Sequence, residues 1–154
     1  MKIYADTNFY TNLLLQLSHS ADARALYDQH RAHAEHPIPV TPLLELEFLN
    51  AVERYVYESR HGGQWRVTQE GAMLASATFD GIIEVHVDFE QRAISFAGLK
   101  NFFELMVQRH TAKWGFRTYD ILHAASALAL GCDTFWTFDA KAKKLAAMEG
   151  LATN

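Results

Sequence analysis

Short apolar runs alternate with longer helical segments along this chain of 154 residues, and that alternation limits the folds it can adopt. The apolar runs at residues 3–5, 37–40, 82–87 and 134–137 predict four short strands. Strands that are separated by helices pair in parallel, because each connection has to cross the sheet. We therefore expect an α/β fold, a three-layer α/β/α sandwich whose short, mainly parallel central sheet is flanked by helices.

The segments between these strands have helical spacing and helix-end signals. Helices are predicted over about residues 8–17, 21–35, 42–59, 68–79, 88–110, 118–131 and 140–148. The third of them has the clearest start, because Thr41 can cap it and Pro42 suits its first turn. The length of the chain fits one domain spanning residues 1–154.

Composition excludes several classes of protein. Hydrophobic residues make up 49% and charged residues 21%, a globular balance that argues against a disordered chain. The net charge of -4 gives no general basic footprint for binding duplex DNA. The single cysteine, Cys132, cannot form an internal disulfide, which favours a reducing cytoplasm. Since no apolar run approaches the roughly 20 residues of a membrane span, we expect a cytoplasmic protein without a membrane segment.

Four carboxylates lie where an α/β protein would place metal ligands. Asp6 and Asp139 directly follow predicted strands, so both fall at the carboxyl edge of the sheet, where such proteins build their sites. Glu47 and Asp120 lie in the first turns of two helices that can reach the same edge. Buried carboxylates cannot stay charged together without a cation, and Mg²⁺ or Mn²⁺ prefers such oxygen ligands. The alternative is that these residues are helix caps and surface acids.

A second glutamate competes with Glu47 on the same helix. On a helical wheel Glu47 shares one polar stripe with Asn50 and Arg54, whereas Glu45 lies on another side. Both are close to the start of the helix. Periodicity therefore leaves open which of the two would be a ligand.

Four ordered motifs resemble those of a known family. They are Asp6-Thr7-Asn8, Glu47-x-x-Asn50-Ala51, Tyr119-Asp120-x-x-His123-Ala124-Ala125 and Thr137-Phe138-Asp139. Together they cover nearly the whole chain and resemble a PIN domain, most of all the short VapC-type toxin ribonucleases of toxin–antitoxin pairs. The resemblance maps the family's four acids onto Asp6, Glu47, Asp120 and Asp139, and so favours Glu47 over Glu45.

The resemblance implies cleavage of RNA that depends on Mg²⁺ or Mn²⁺, with an activated water attacking the phosphodiester. It also implies a homodimer and a protein antitoxin that blocks the acidic groove. Asn8 matches the family's polar residue after the first acid, and Thr137 matches its hydroxyl beside the last. Arg117 could contact an RNA backbone or be a plain surface charge. His123 could touch a phosphate or simply pack its helix.

Two stretches depart from the family pattern. Residues 66–114 show no motif that can be aligned, and the family's last edge strand is expected to be short or absent. The residues alone leave two other functions open. One is a PIN-like module that binds nucleic acid without catalysis. The other is a phosphotransfer domain, which the single acid after the first strand fits poorly.

Overall fold

Five short strands form the centre of the fold within residues 1–33, 36–85 and 87–154, the parts of the chain that the computed structural model describes. They are β1 (Ile3–Ala5), β2 (Ile38–Val40), β3 (Phe89–Gln91), β4 (Thr134–Trp136) and β5 (Ala152–Thr153). β4 pairs with both β1 and β5, and β2 pairs with β3, every pair being parallel. β2 also contacts β1, which gives the spatial order β3-β2-β1-β4-β5.

Helices fill the connections between these strands. They are α1 (Thr7–Leu14), α2 (Ser20–His33), α3 (Pro42–Arg60), α4 (Gln69–Glu84), α5 (Phe96–Met106), α6 (Ala112–Trp114), α7 (Thr118–Ala129) and α8 (Ala140–Met148). A π-helical turn, Val107–Thr111, joins α5 to α6. Among the described residues, none of the helices is both long and apolar enough to cross a membrane.

The strands bury side chains on both faces of the sheet. On one face Ile3, Ala5 and Trp136 pack against α1 to α4. On the other face Tyr4 and Phe135 pack against α7 and α8. Successive strand residues point to opposite faces, so a sheet covered on both sides needs apolar residues at every strand position. The expected three-layer α/β/α sandwich with a mainly parallel sheet is confirmed.

The strand predicted at residues 82–87 is wrong. Ile82 and Ile83 belong to α4, and the strand of this region is instead β3, Phe89–Gln91. Buried Ile83 continues the helical row of Ala75 and Phe79, so the period of about 3.6 residues outweighs the strand preference of the isoleucine pair. His86, part of the predicted strand, lies outside the described residues.

The helix predicted at 88–110 starts later than expected. Phe89–Gln91 forms β3 and pairs with β2. The helix begins at Phe96, because the Ser95 side chain caps it by accepting a hydrogen bond from the backbone N–H of Gly98. The helix predicted over 21–35 is described over Ser20–His33, and Ala34 and Glu35 lie outside the described residues. The last edge strand is present but short, because only Ala152–Thr153 pairs with β4.

Candidate active site

Asp6 lies at the point where β1 meets α1. Its backbone N–H donates to the carbonyl of Trp136 at 3.1 Å, which ties the end of β1 to β4. Its Oδ1 accepts a hydrogen bond of 3.1 Å from the backbone N–H of Phe9 and so caps α1. Only 5% of the residue is exposed. Burial raises the pKa of Asp6 to about 6, although the charge of His123 and a hydrogen bond from Thr137 act to lower it.

Glu47 reaches the same place from α3 and is held by two donors. The hydroxyl of Thr7 donates to its Oε2 at 2.5 Å, and Nε2 of His123 lies 2.5 Å from the same oxygen. Partial burial acts to raise the pKa of Glu47. The hydrogen bond and charge of His123, together with the bond from Thr7, outweigh burial and leave the pKa lowered. The carboxylate is therefore kept ionised and fixed in one orientation.

Glu45 turns away from this cluster. Its Oε1 accepts a hydrogen bond of 3.1 Å from the side chain of Gln91, at the surface beside β3. Glu45 is not among the residues that line the cleft containing Asp6 and Glu47. The position of the two side chains thus favours Glu47, while its role as a ligand stays a prediction.

His123 connects Glu47 to the interior of the protein. The side chain is only 4% exposed, and its Nδ1 lies 2.8 Å from the hydroxyl of Tyr4 on β1. Because a carboxylate can only accept, Nε2 carries the hydrogen that faces Glu47. The Tyr4 hydroxyl is also 3.4 Å from Thr41 at the start of α3. His123 both packs its helix and fixes a cleft carboxylate.

Asp120 and Asp139 share the guanidinium group of Arg117. Nε and Nη2 of Arg117 donate to the two oxygens of Asp120 at 3.1 and 3.0 Å, and Nη2 also donates to Asp139 at 2.9 Å. The carboxylate of Asp120 raises the pKa of Arg117 further above its usual value. These three residues come from the start of α7 and the start of α8.

The turn after β4 sets the position of Asp139. Oδ1 of Asp139 accepts from the backbone N–H groups of Lys141 and Ala142, which begins α8. The Thr137 hydroxyl accepts from the backbone N–H of Asp139 at 3.0 Å, and Asn8 accepts from that of Phe138 at 3.0 Å. Asn8 lines the cleft, whereas Thr137 is fully buried beneath it.

The four predicted acids line one cleft of about 250 Å³. Asn8, Arg117 and His123 line it as well, and so do residues that the sequence reasoning missed. The missed residues are Thr11, Tyr55 and Glu58. Ala51, Arg54 and Glu58 follow Glu47 at helical steps along α3, a spacing that could have revealed this wall of the cleft.

The donor chemistry of the cleft fits a hard divalent cation. Five carboxylates and only two guanidinium groups line it, and carboxylate oxygen is the ligand that Mg²⁺ and Mn²⁺ prefer. Burial raises the pKa of Asp6 and so disfavours its charged form, which a bound cation would favour. Within the described residues, no three or more His, Cys, Asp or Glu side chains are already arranged to hold a metal ion. The ligand types fit Mg²⁺ or Mn²⁺, but the four carboxylates are hydrogen-bonded to other groups of the same chain.

Comparison with known proteins identifies the family. A family model described as PIN domain matches residues 3–148. None of the curated proteins compared with the chain matches it. The structure is similar to Mycobacterium tuberculosis VapC20, a toxin that cleaves the sarcin–ricin loop, with a TM-score of 0.66 and 15% identity over 97% of each chain. It is also similar to VapBC2 from Rickettsia felis, solved with a DNA fragment from their promoter, with a TM-score of 0.66 and 15% identity over 100% of this chain and 98% of the other. The chain therefore belongs to the PIN domain family.

Proposed function

We propose that this protein is a metal-dependent endoribonuclease and the VapC-type toxin of a toxin–antitoxin pair. The observation that carries the proposal is the gathering of Asp6, Glu47, Asp120 and Asp139 in one cleft. Membership of the PIN domain family supports a nuclease. The fold shared with VapC20, which cleaves the sarcin–ricin loop, supports RNA as the substrate class.

The four carboxylates are the groups that we assign to Mg²⁺ or Mn²⁺. When bound, such an ion would supply an activated water and neutralise charge on the scissile phosphate. A phosphodiester approaching the cleft meets carboxylates that repel it, so the protein needs added positive charge before it can hold RNA. The acidic lining thus supports a substrate that binds together with a cation.

The protein's own residues have separate tasks in this proposal. Glu47 is kept ionised and oriented by Thr7 and His123, so its carboxylate faces the cleft without a loss of side-chain freedom on binding. His123 acts through Glu47 and is a positioning residue. Asn8 and Thr137 both accept hydrogen bonds from the backbone of the turn that carries Asp139. Arg117 is the guanidinium nearest to the acids and can also reach a phosphate oxygen.

The partners follow from the same assignment. We expect an RNA substrate, a cognate antitoxin protein and a homodimer. Exposed apolar side chains on the packed helices α3 and α4 support a protein partner, because such patches mark interaction surfaces. They are Leu46, Leu49, Met73 and Leu74. The likeness in fold to VapBC2, which was solved with promoter DNA, supports the toxin–antitoxin context. A cytoplasmic location, expected from the sequence, stays a prediction.

The proposal is tested with Asp6→Asn. Asparagine can still cap α1, so the variant should fold. We expect the wild-type protein to cleave RNA with Mn²⁺ and to arrest growth when expressed. The variant should lose at least about 100-fold in cleavage rate and should not arrest growth. Equal cleavage by the folded variant would remove Asp6 from the mechanism. Absence of cleavage and of Mn²⁺ binding in the wild type would favour a PIN-like module that only binds nucleic acid.

A further inference from the structure

Arg117 occupies the side of the cleft where the two C-terminal acids meet. Its guanidinium forms a fork on both oxygens of Asp120, with distances of 3.1 and 3.0 Å, and bridges to Oδ2 of Asp139 at 2.9 Å. The second oxygen of Asp139 accepts from the first backbone N–H groups of α8. Every carboxylate oxygen of these two acids is therefore already bonded to the protein.

This arrangement places one positive charge between two carboxylates that would otherwise repel each other. Asp120 is only 7% exposed, so its carboxylate needs a charged partner close by. The side chain of Arg117, in contrast, is 64% exposed. An exposed arginine can leave its partners at a small free-energy cost, because water replaces the lost contacts. The acids are fixed, and their partner is exchangeable.

We propose that Arg117 is a tethered counter-cation that a divalent metal ion must displace from Asp120 and Asp139. The inference rests on the proposed metal-dependent function. An ion that takes oxygen from these two carboxylates competes directly with the guanidinium for the same atoms. Arg117 thus stabilises the metal-free protein and weakens its affinity for the ion, and the two effects have one cause.

Arg54 provides a matched comparison within the same cleft. It lines the cleft as Arg117 does, and it carries the same charge. Its guanidinium pairs with Glu58 at 3.1 Å, one turn along α3, rather than with the four acids. Removal of Arg54 changes the net charge of the cleft without freeing Asp120 or Asp139. Competition for ligand oxygens and general electrostatics can therefore be separated.

The test is calorimetric titration of Mn²⁺ into the wild-type protein, Arg117→Gln, Arg117→Lys and Arg54→Gln. We expect Arg117→Gln to bind Mn²⁺ roughly tenfold more tightly than the wild type, and Arg54→Gln to change the affinity by less than about threefold. Lysine keeps the charge but cannot form the fork, so Arg117→Lys should lie between the wild type and Arg117→Gln. Melting curves in chelator should show Arg117→Gln about 1–4 °C below the wild type, with a larger rise on addition of Mn²⁺.

Three results would overturn the inference in different ways. Affinity that is unchanged or weaker in Arg117→Gln means that Arg117 does not compete with the ion, while the proposed function stands. An equal gain in Arg54→Gln and Arg117→Gln assigns the effect to net charge. If neither the wild type nor any variant binds Mn²⁺, the proposed function fails and the inference fails with it. If Arg117→Gln does not fold, Arg117→Lys decides between the first two results.

Discussion

Two sides of the cleft hold their carboxylates by different means. On one side, Thr7 and His123 bind Glu47, and Tyr4 on β1 supports His123. We call these four residues the Glu47 half. On the other side one guanidinium binds two acids, and we call Arg117 with Asp120 and Asp139 the Arg117 half. The side chain of His123 is 4% exposed, whereas that of Arg117 is 64% exposed.

This difference separates a permanent part of the site from an exchangeable one. Buried hydrogen bonds lose a large free energy when one partner is removed, because water cannot replace it. Exposed ion pairs contribute little to stability, because water and salt compete for the charges. The Glu47 half should therefore be preorganised in every state of the protein. The Arg117 half is where a ligand can change the arrangement.

The largest expected effect on stability is that of His123→Ala. The change leaves the Tyr4 hydroxyl and Glu47 without their common partner and opens a cavity, so we expect a loss of about 2–4 kcal/mol in the free energy of unfolding. Arg117→Gln should lose only about 1–1.5 kcal/mol, which matches the expected tenfold gain in Mn²⁺ affinity. Urea denaturation without divalent ions measures both values. Equal losses would break the distinction between the two halves.

Asp6→Asn should raise the free energy of unfolding, by slightly less than His123→Ala lowers it. The pKa of Asp6 is raised from 3.8 to about 6 in the folded protein, so between these values the folded state binds more protons than the unfolded chain. Stability therefore falls as the pH rises through this window, by about 2–3 kcal/mol in all. Above about pH 7 the penalty is constant, and asparagine removes it.

The check is unfolding in chelator over a range of pH. Asp6→Asn should be more stable than the wild type by about 2–3 kcal/mol at pH 7, and the gain should vanish below about pH 4. Asp139→Asn is the control from the Arg117 half. Its carboxylate is partly exposed and paired with Arg117, so it should give no comparable gain at pH 7. A gain from Asp6→Asn that does not depend on pH would show that burial of charge is not its cause.

Tyr4→Phe should give the smallest change in the free energy of unfolding. It removes the hydroxyl that lies 2.8 Å from Nδ1 of His123, and we expect a loss of about 1 kcal/mol in the free energy of unfolding. Tyr119→Phe is the matched control, because Tyr119 is 52% exposed and its hydroxyl should contribute nothing measurable. No difference between the two variants in urea denaturation would mean that the Tyr4 hydroxyl does not support the Glu47 half.

Residues that directly follow a strand are the ones whose position in the site could be predicted best from the sequence. Asp6 and Asp139 were predicted at the carboxyl edge because the end of a parallel strand has one location, and the structure brings both to the cleft. The helical periodicity of the sequence could not decide between Glu45 and Glu47, because both lie near the start of α3. The choice depends on Thr7 and His123, which are distant in the chain and reach only Glu47.

Other features of the molecule depend on contacts that a local pattern does not contain. Ile82 and Ile83 suggested a strand by residue type, but the core contacts of α4 continue through Ile83 and keep the segment helical. The sharing of Arg117 by two acids was not predicted either. Asp139 is 22 residues away along the chain, and only the meeting of the starts of α7 and α8 brings it to the same guanidinium.

The most direct test of the central claim compares RNA cleavage by Glu47→Gln and Glu45→Gln with that by the wild type, in the presence and absence of Mn²⁺. The two glutamates are on the same helix, but only Glu47 lines the acidic cleft. We predict cleavage by the wild type only with Mn²⁺, a loss of at least about 100-fold in Glu47→Gln, and full activity in Glu45→Gln. Full activity in folded Glu47→Gln, or an equal loss in both variants, would contradict the account.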